Sequence, residues 1–220
     1  MIMWVYDAVA ASGLFDRVVV ATDDRRIESR VKECGGDVMM TSVDCYCGTQ
    51  RCEEVLSALE RAGECYDSVV NVQGDEPLIK KEQLEDVVSL FENEDCQIAT
   101  LAKKIESAED LFSPNCVKVV FAENRAIYFS RSVIPYLRGV EKEDYLKFAC
   151  HYKHIGLYAY RSEALHEVVR LPLSALERAE SLEQLRWLEN GLRIFIKPTD
   201  FESFGVDTPE DLERINRMLE

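Results

Sequence analysis

The sequence predicts an α/β protein with a mostly parallel sheet flanked by helices, and three observations carry that prediction. Short apolar runs rich in β-branched residues alternate with stretches of helical periodicity, as expected for strands buried on both faces and joined through helices. Acidic and amide residues stand just after strand ends, where open α/β sheets bind ligands. The chain has 220 residues, 47% apolar and 30% charged, enough to build one substantial domain with a soluble surface.

Residues 1–12 read as a helix, because Ile2, Val5 and Val9 fall on one face. A parallel sheet ordinarily opens on a strand and a ligand-binding loop, so a piece of roughly 20–25 residues is the natural missing element. Its absence is expected to leave a hydrophobic slot. Residues 17–22 (RVVVAT) form the first strand, followed by Asp23 and Asp24. Ile27, Val31 and Cys34 then repeat at helical spacing until Gly35-Gly36 stops the helix. Residues 38–41 make a second strand, 50–62 a helix and 68–72 (SVVNV) a third strand. Leu84, Val87, Val88 and Phe91 line one face of the next helix.

The middle of the chain changes character. Residues 117–121 and 126–130 are strand-like and joined at 122–125, as in a hairpin or a β-arm, and 155–160 (IGLYAY) is another strand. A helix is expected over 174–190, with Ser174 and Glu177 as a capping box and Gly191 as its stop. Its apolar stripe is Leu176, Ala179, Leu182, Leu185 and Leu188, which puts Glu180, Glu183, Gln184 and Trp187 on the solvated side. The last helix begins at Thr208-Pro209. With no repeat, low-complexity segment or linker, one domain spans 1–220.

A net charge of −15 argues against nucleic acid or an anionic membrane as partner, since either is repelled. An anionic small substrate then needs locally gathered Lys and Arg or a metal ion. The eight cysteines lack CxxC pairs and read as reduced cytosolic thiols; Cys45, Cys47 and Cys52 fall short of a four-ligand zinc site. The apolar start is too short to span a membrane and is not a secretory signal.

Four motifs carry candidate chemistry. In Asn71-Val72-Gln73-Gly74-Asp75-Glu76-Pro77, the glycine permits close approach of a ligand and Asp75 suits Mg²⁺ on phosphates; the same motif also fits a strand-to-turn cap. Asp207 precedes a helix, where an acid is also a common cap. His154, Gly156 and Tyr158 share one face of a strand and make a polar wall. Glu183 and Gln184 belong to the capped helix.

In order and spacing, NVQGDEP, SPNCVKVV, YFSRSVIP, YKHIGLYAYR, LERAESLEQLRWLENG and GVDTPEDLERI resemble the 3-deoxy-manno-octulosonate (Kdo) cytidylyltransferases along the whole chain. The resemblance implies a Rossmann-like nucleotidyltransferase fold and a cytoplasmic homodimer, with residues 115–160 as the β-arm used for dimerisation and sugar binding. The implied reaction is attack of the anomeric hydroxyl of Kdo on the α-phosphorus of CTP, giving CMP-Kdo and pyrophosphate for lipopolysaccharide biosynthesis. By the same resemblance, Asp75 and Asp207 are catalytic and hold Mg²⁺, and Gln73, Gly48, Thr49 and Arg51 meet the nucleotide. Arg131 meets the Kdo carboxylate, as a planar guanidinium can. His154, Tyr158, Glu183 and Gln184 hold the sugar hydroxyls.

Two departures stand out. The family's opening loop, of the type IPARxxSxRxPGKPL, has no counterpart, and its loss is expected to weaken CTP binding and turnover. Where the family reads His-x-Ser-Gly-Thr-Asp/Glu-Arg, this chain has Cys45-Tyr46-Cys47-Gly48-Thr49-Gln50-Arg51. Two accounts follow: an enzyme whose start lies further upstream, or an inactive homologue serving as sugar-acid binder or dimerisation partner. A dehydrogenase is disfavoured, because no Gly-x-Gly-x-x-Gly follows a strand.

Overall fold

The computed structural model describes residues 1–206 and 208–219. The first half alternates α1 (Ile2–Ala11), β1 (Val20–Thr22), α2 (Arg25–Glu33), β2 (Val38–Met40), α3 (Gly48–Arg61), β3 (Ser68–Asn71) and α4 (Lys81–Ser89), close to the sequence expectation. Asp24 starts α2 by accepting a hydrogen bond from the Arg26 N–H at 2.7 Å, and Gly35, at φ +76°, follows its end in the left-handed region.

The second half contains β4 (Ile98–Lys104), α5 (Ala108–Phe112), β5 (Lys118–Ala122), β6 (Arg125–Ser130), α6 (Tyr145–Phe148), β7 (Tyr152–Arg161) and α7 (Ser162–Val168). It ends with α8 (Ala175–Glu180), α9 (Glu183–Glu189), β8 (Ile194–Pro198) and α10 (Pro209–Leu219). β4 and β8 were not anticipated, because a short apolar run does not reveal its own secondary structure.

Six strands form one sheet in the order β3-β7-β4-β8-β6-β5, while β1 and β2 make a separate parallel pair. The mostly parallel expectation needs correction. β3, β4 and β8 share a direction, but β7 runs antiparallel between β3 and β4, and β5 and β6 pair antiparallel. The period of a strand's side chains marks its buried faces but not its direction.

Side-chain alternation feeds two cores. Ile98, Tyr158, Tyr160, Ile194 and Ile196 face one side, against Leu56 of α3, Leu165 of α7 and Trp187 of α9. Ala99, Leu101, Leu157, Ala159 and Phe195 face the other, against Val5 and Val9 of α1 and Leu84 and Val87 of α4. Each fully buried Leu or Ile contributes roughly 1.5–3 kcal/mol through burial.

The expected helix over 174–190 is two helices. Ser181 adopts φ +52° between them, and α8 is turned so that Glu177 is buried while Leu176 is exposed. The reason is electrostatic: Glu177 lies 3.5 Å from the buried guanidinium of Arg186, whose desolvation needs compensation. Trp187 and Gln184 are buried rather than solvated.

The β5–β6 hairpin turns through Glu123 and Asn124, at φ +49° and +62°. Asn tolerates this region; Glu does not. The Glu123→Gly variant should therefore gain about 0.5–1 kcal/mol of stability, measured by urea denaturation.

β1 and β3 do not join. Their free edges face each other across an apolar cleft of about 430 Å³, lined on its other sides by α1 and α3.

Candidate active site

The end of β3 and the start of α3 converge closely. A Cβ at Gly48 would come 3.1 Å from Asn71 Nδ2 and 3.5 Å from Gln73 Nε2, so a larger residue here would press on the Asn71 side chain, and glycine lets the helix start lie close to the strand end. Thr49, one residue into α3, donates to Glu183 Oε2 at 2.8 Å and lies 3.4 Å from the Tyr160 hydroxyl. Arg51 turns the other way. It donates to Asp23 at 2.9 Å, to Thr41 at 2.7 Å and to the carbonyl of Ser42, pinning the loop before α3 to the end of β1.

Glu183 opens α9 and is a junction. It accepts from Thr49, from Cys47 Sγ at 3.4 Å and from Arg186 Nη2 at 2.8 Å. Arg186 is 2% exposed and also donates to the Tyr46 hydroxyl at 3.2 Å. A charge so far from water is tolerable only with such partners.

β7 supplies the polar wall. His154 Nε2 lies 3.0 Å from Thr100 Oγ1, and the Thr100 hydroxyl is itself directed to the carbonyls of Ile155 and Leu157 at 3.1 and 2.8 Å. The single hydroxyl hydrogen is thus committed, so His154 donates through Nε2–H and is neutral. Burial pushes its pKa down to about 3. Its ring packs against Phe129 and Tyr158 at 5.2 and 5.1 Å. Among the described residues the Tyr158 hydroxyl and the Trp187 indole N–H are both buried without a partner, and their rings touch edge to face at 5.1 Å. Neighbouring orphaned donors, one of them also an acceptor, mark a place made for a polar ligand.

Arg131, just after β6, reaches the end of α8. Its Nε, Nη1 and Nη2 donate to the carbonyls of Glu180, Pro114 and Ser181 at 2.7, 3.0 and 3.3 Å. One hydrogen on each terminal nitrogen remains for a carboxylate.

Asp75 follows β3. Its carbonyl accepts from the Val206 N–H at 3.0 Å, and a Cβ at Gly205 would lie 3.9 Å from its Oδ2. Among the described residues, no side chain pairs with this carboxylate. The Glu76 carboxyl beside it is pushed up in pKa, first by burial, with Ser203 opposing and Asp75 adding to the rise. Asp207 lies outside the described residues; the preceding Val206 is bonded to Asp75. A bare hard carboxylate suits Mg²⁺.

The structure therefore brings Gly48, Thr49 and Gln73 together, with Glu183 bonded to Thr49. His154, Tyr158 and the buried Gln184 belong to the adjoining β7–α9 wall. Arg51 lies on the far side of α3's start, bonded to Asp23. Sequence reading placed Asn71 in its first motif without a role of its own, and missed Arg186. Asn71 was visible as a polar residue ending an apolar strand; an arginine on a helix gives no sign of burial.

A sheet flanked by helices, with amide, acidic and glycine residues at its strand ends, is a ligand-binding α/β architecture, and the comparisons make it that of a nucleotidyltransferase. A family profile described as cytidylyltransferase covers residues 1–194. The chain is 53% identical to the 3-deoxy-manno-octulosonate cytidylyltransferase of Phocaeicola vulgatus, over 100% of this chain and 86% of that protein. It is 52% identical to its counterpart in Parabacteroides distasonis, over 100% and 87%. The chain belongs to the 3-deoxy-manno-octulosonate cytidylyltransferase family. A solved CMP:2-keto-3-deoxy-manno-octonic acid synthetase, complexed with CTP, superposes with a TM-score of 0.89 at 38% identity, covering 99% of this chain and 86% of that one. A 4-diphosphocytidyl-2C-methyl-D-erythritol synthase from Anaerococcus prevotii, at TM-score 0.58, 11% identity and coverage of 99% and 88%, shares the fold.

The depressed pKa of His154 has a sign that can be checked. The unfolded chain binds its proton near pH 6.5 and the folded one only near 3, so stability is complete above 6.5 and falls as pH drops through that window. Urea titrations should give wild type a steeper loss between pH 6.5 and 5 than His154→Asn, by up to about 1 kcal/mol per pH unit.

Proposed function

We propose that the protein transfers CMP from CTP to the anomeric hydroxyl of Kdo, releasing pyrophosphate, in the cytoplasmic supply of activated sugar for lipopolysaccharide. The observation that carries this reading is the Thr49–Glu183 hydrogen bond, which ties the start of α3 to the start of α9. In this reading α3 and the end of β3 hold the nucleotide, while β7 and α9 hold the sugar acid. One rigid frame then fixes both reactants, and nucleotidyl transfer is chiefly a problem of alignment and charge.

Gln73 and Asn71 offer amide hydrogen bonds beside Gly48, where the missing side chain leaves room for the nucleotide. The first N–H groups of α3, which no side chain caps, face the same end and suit an anion. Tyr158 and Gln184 offer hydrogen bonds to sugar hydroxyls, with His154 held neutral behind them. Arg131 offers its two spare hydrogens to the sugar carboxylate. Asp75, with Asp207, would hold Mg²⁺, which supplies charge stabilisation at the phosphates when bound. Support for the reading comes from the family membership and from the CTP complex of the solved relative.

The reading also includes a homodimer. Ile127, Tyr136 and Phe148, all within 115–160, are 62%, 75% and 71% exposed, an apolar surface suited to a second copy. A cytoplasmic setting accords with eight free cysteines, and among the described residues no helix is long and apolar enough to cross a membrane.

Incubation with CTP, Kdo and Mg²⁺ should release pyrophosphate and yield CMP-Kdo by mass spectrometry. Absence of that product, alongside turnover of a different nucleotide or sugar acid, would sink the proposal. Asp75→Asn should lower kcat/KM at least about 100-fold, since it removes a metal-binding charge, and chelation by EDTA should abolish turnover of the wild type. Thr49→Val should reduce kcat/KM about 10–100-fold through lost alignment, with far-UV circular dichroism unchanged.

A further inference from the structure

β7 presents different residues to its two sides. His154 packs with Phe129 and Tyr158 on one side, so its neighbour Lys153 points to the other, as Ile155 does toward the core shared with α1 and α4. There Lys153 stands directly opposite Lys103 of β4. Like charges paired across strands repel, and these two side chains are only 15% and 18% exposed, so the pair needs an anion. Glu202 supplies it, with Oε1 2.6 Å from Lys153 Nζ and Oε2 4.0 Å from Lys103 Nζ. Asp110 of α5 adds a second carboxylate 3.1 Å from Lys153. Burial by itself lowers the Lys153 pKa, but the hydrogen bonds to Glu202 and Asp110 outweigh it and hold the ammonium charged.

Glu202 belongs to residues 199–206, the segment between β8 and α10 that has no helix or strand of its own. Its near end is tied to β4. The Thr199 N–H donates to the Ala102 carbonyl at 2.8 Å, and Lys103 Nζ donates to the Asp200 carbonyl. Its far end meets the loop after β3, where Ser203 hydrogen-bonds to Glu76 and the Val206 N–H donates to the Asp75 carbonyl at 3.0 Å. The Lys153–Glu202 pair lies between these two ends. A segment without regular structure keeps its place only through such contacts.

We propose that Lys153 and Glu202 are positioning residues for the metal end of the site, their ion pair setting where residues 199–206 lie against Asp75. β7 then serves both reactants from opposite sides, the sugar through His154 and Tyr158 and the metal end through Lys153. Neither Lys153 nor Glu202 has to touch metal or substrate. The inference rests on the reading of Asp75 as a metal ligand, with Asp207 next in the chain after Val206. Lys153→Met removes the ammonium, leaving Glu202 with Lys103 alone at 4.0 Å and removing the Lys153 partner of Asp110. Lys153→Arg keeps the charge, and Glu202→Gln weakens the same tether from a side chain that no core packing depends on.

The full chain and these three variants are compared in measurements that need no turnover. By NMR, amide hydrogen exchange at Val206 should speed at least about tenfold in Lys153→Met and Glu202→Gln, because the tether opposing local opening is lost. Thr199 and Ile196, bonded to Ala102 and Asn124, should change little. Binding of Mn²⁺, followed by the electron paramagnetic resonance signal of the free ion, should weaken about 10–100-fold in the same two variants, as when an outer support of a metal site is removed. Lys153→Arg should stay near wild type in both readouts, and Kdo affinity by calorimetry should be unchanged in all three variants. Wild-type exchange at Val206 in Lys153→Met would overturn the proposal, as would release of Val206 with Mn²⁺ affinity intact. Equal weakening of Kdo and Mn²⁺ binding would mean a general structural role and would also overturn it. A wild type that binds no Mn²⁺ sinks the metal reading and this inference together, whereas variants that match a wild type able to bind Mn²⁺ sink this inference alone.

Discussion

A guanidinium with almost no contact with water sits beside α8 and α9, and much of the site's geometry depends on keeping it compensated. Arg186 is held by Glu177, Glu183 and Tyr46, three groups from three different segments. Because removing one partner of a buried pair costs about 3–5 kcal/mol, those segments are bound to one arrangement. Glu183 then transmits it to Thr49, and through Thr49 to α3. The kink at Ser181 follows from the same requirement, since a continuous helix following the apolar stripe of the sequence would have turned Leu176 inward and Glu177 out to solvent.

Within this frame the two sides of the site have opposite characters. The β7 side is dry: His154 is held neutral, and the Tyr158 hydroxyl, whose pKa burial raises well above its usual value, stays protonated. Such groups offer hydrogen bonds without charge. The Asp75 side is acidic and open, with no cation beside the carboxylate among the described residues. An excess of negative charge at a phosphate-handling mouth is repulsive unless a cation intervenes, which accords with the metal ion in the proposed reaction.

The first half of the fold was legible because its strands are continuous apolar runs closed by acids or amides, and its helices carry clear stops such as Gly35. Boundaries at the cleft were read too long: residues 17–22 and 68–72 looked like full strands, but β1 begins only at Val20 and β3 ends at Asn71. A strand needs a bonded neighbour to be one, and both of these lack it on one side. The second half was harder. β4 and β8 have no distinctive flanks, and the direction of β7 is a tertiary property that no local pattern records. Among site residues, those inside long motifs were findable, whereas Arg186 became recognisable only from its surroundings.

The thiols of α3 and its approach carry a last consequence. Cys47 donates to Glu183, and burial together with that neighbouring carboxylate raises its pKa. Cys45 is pushed up to about 11 and Cys52 to about 12, chiefly by burial. Thiols so reluctant to ionise are poor nucleophiles, whereas Cys34, Cys65 and Cys150 are exposed and remote in sequence from that helix start. Maleimide dyes or spin labels at neutral pH would therefore settle on the periphery first, giving spectroscopic handles on the intact protein without engineered cysteines.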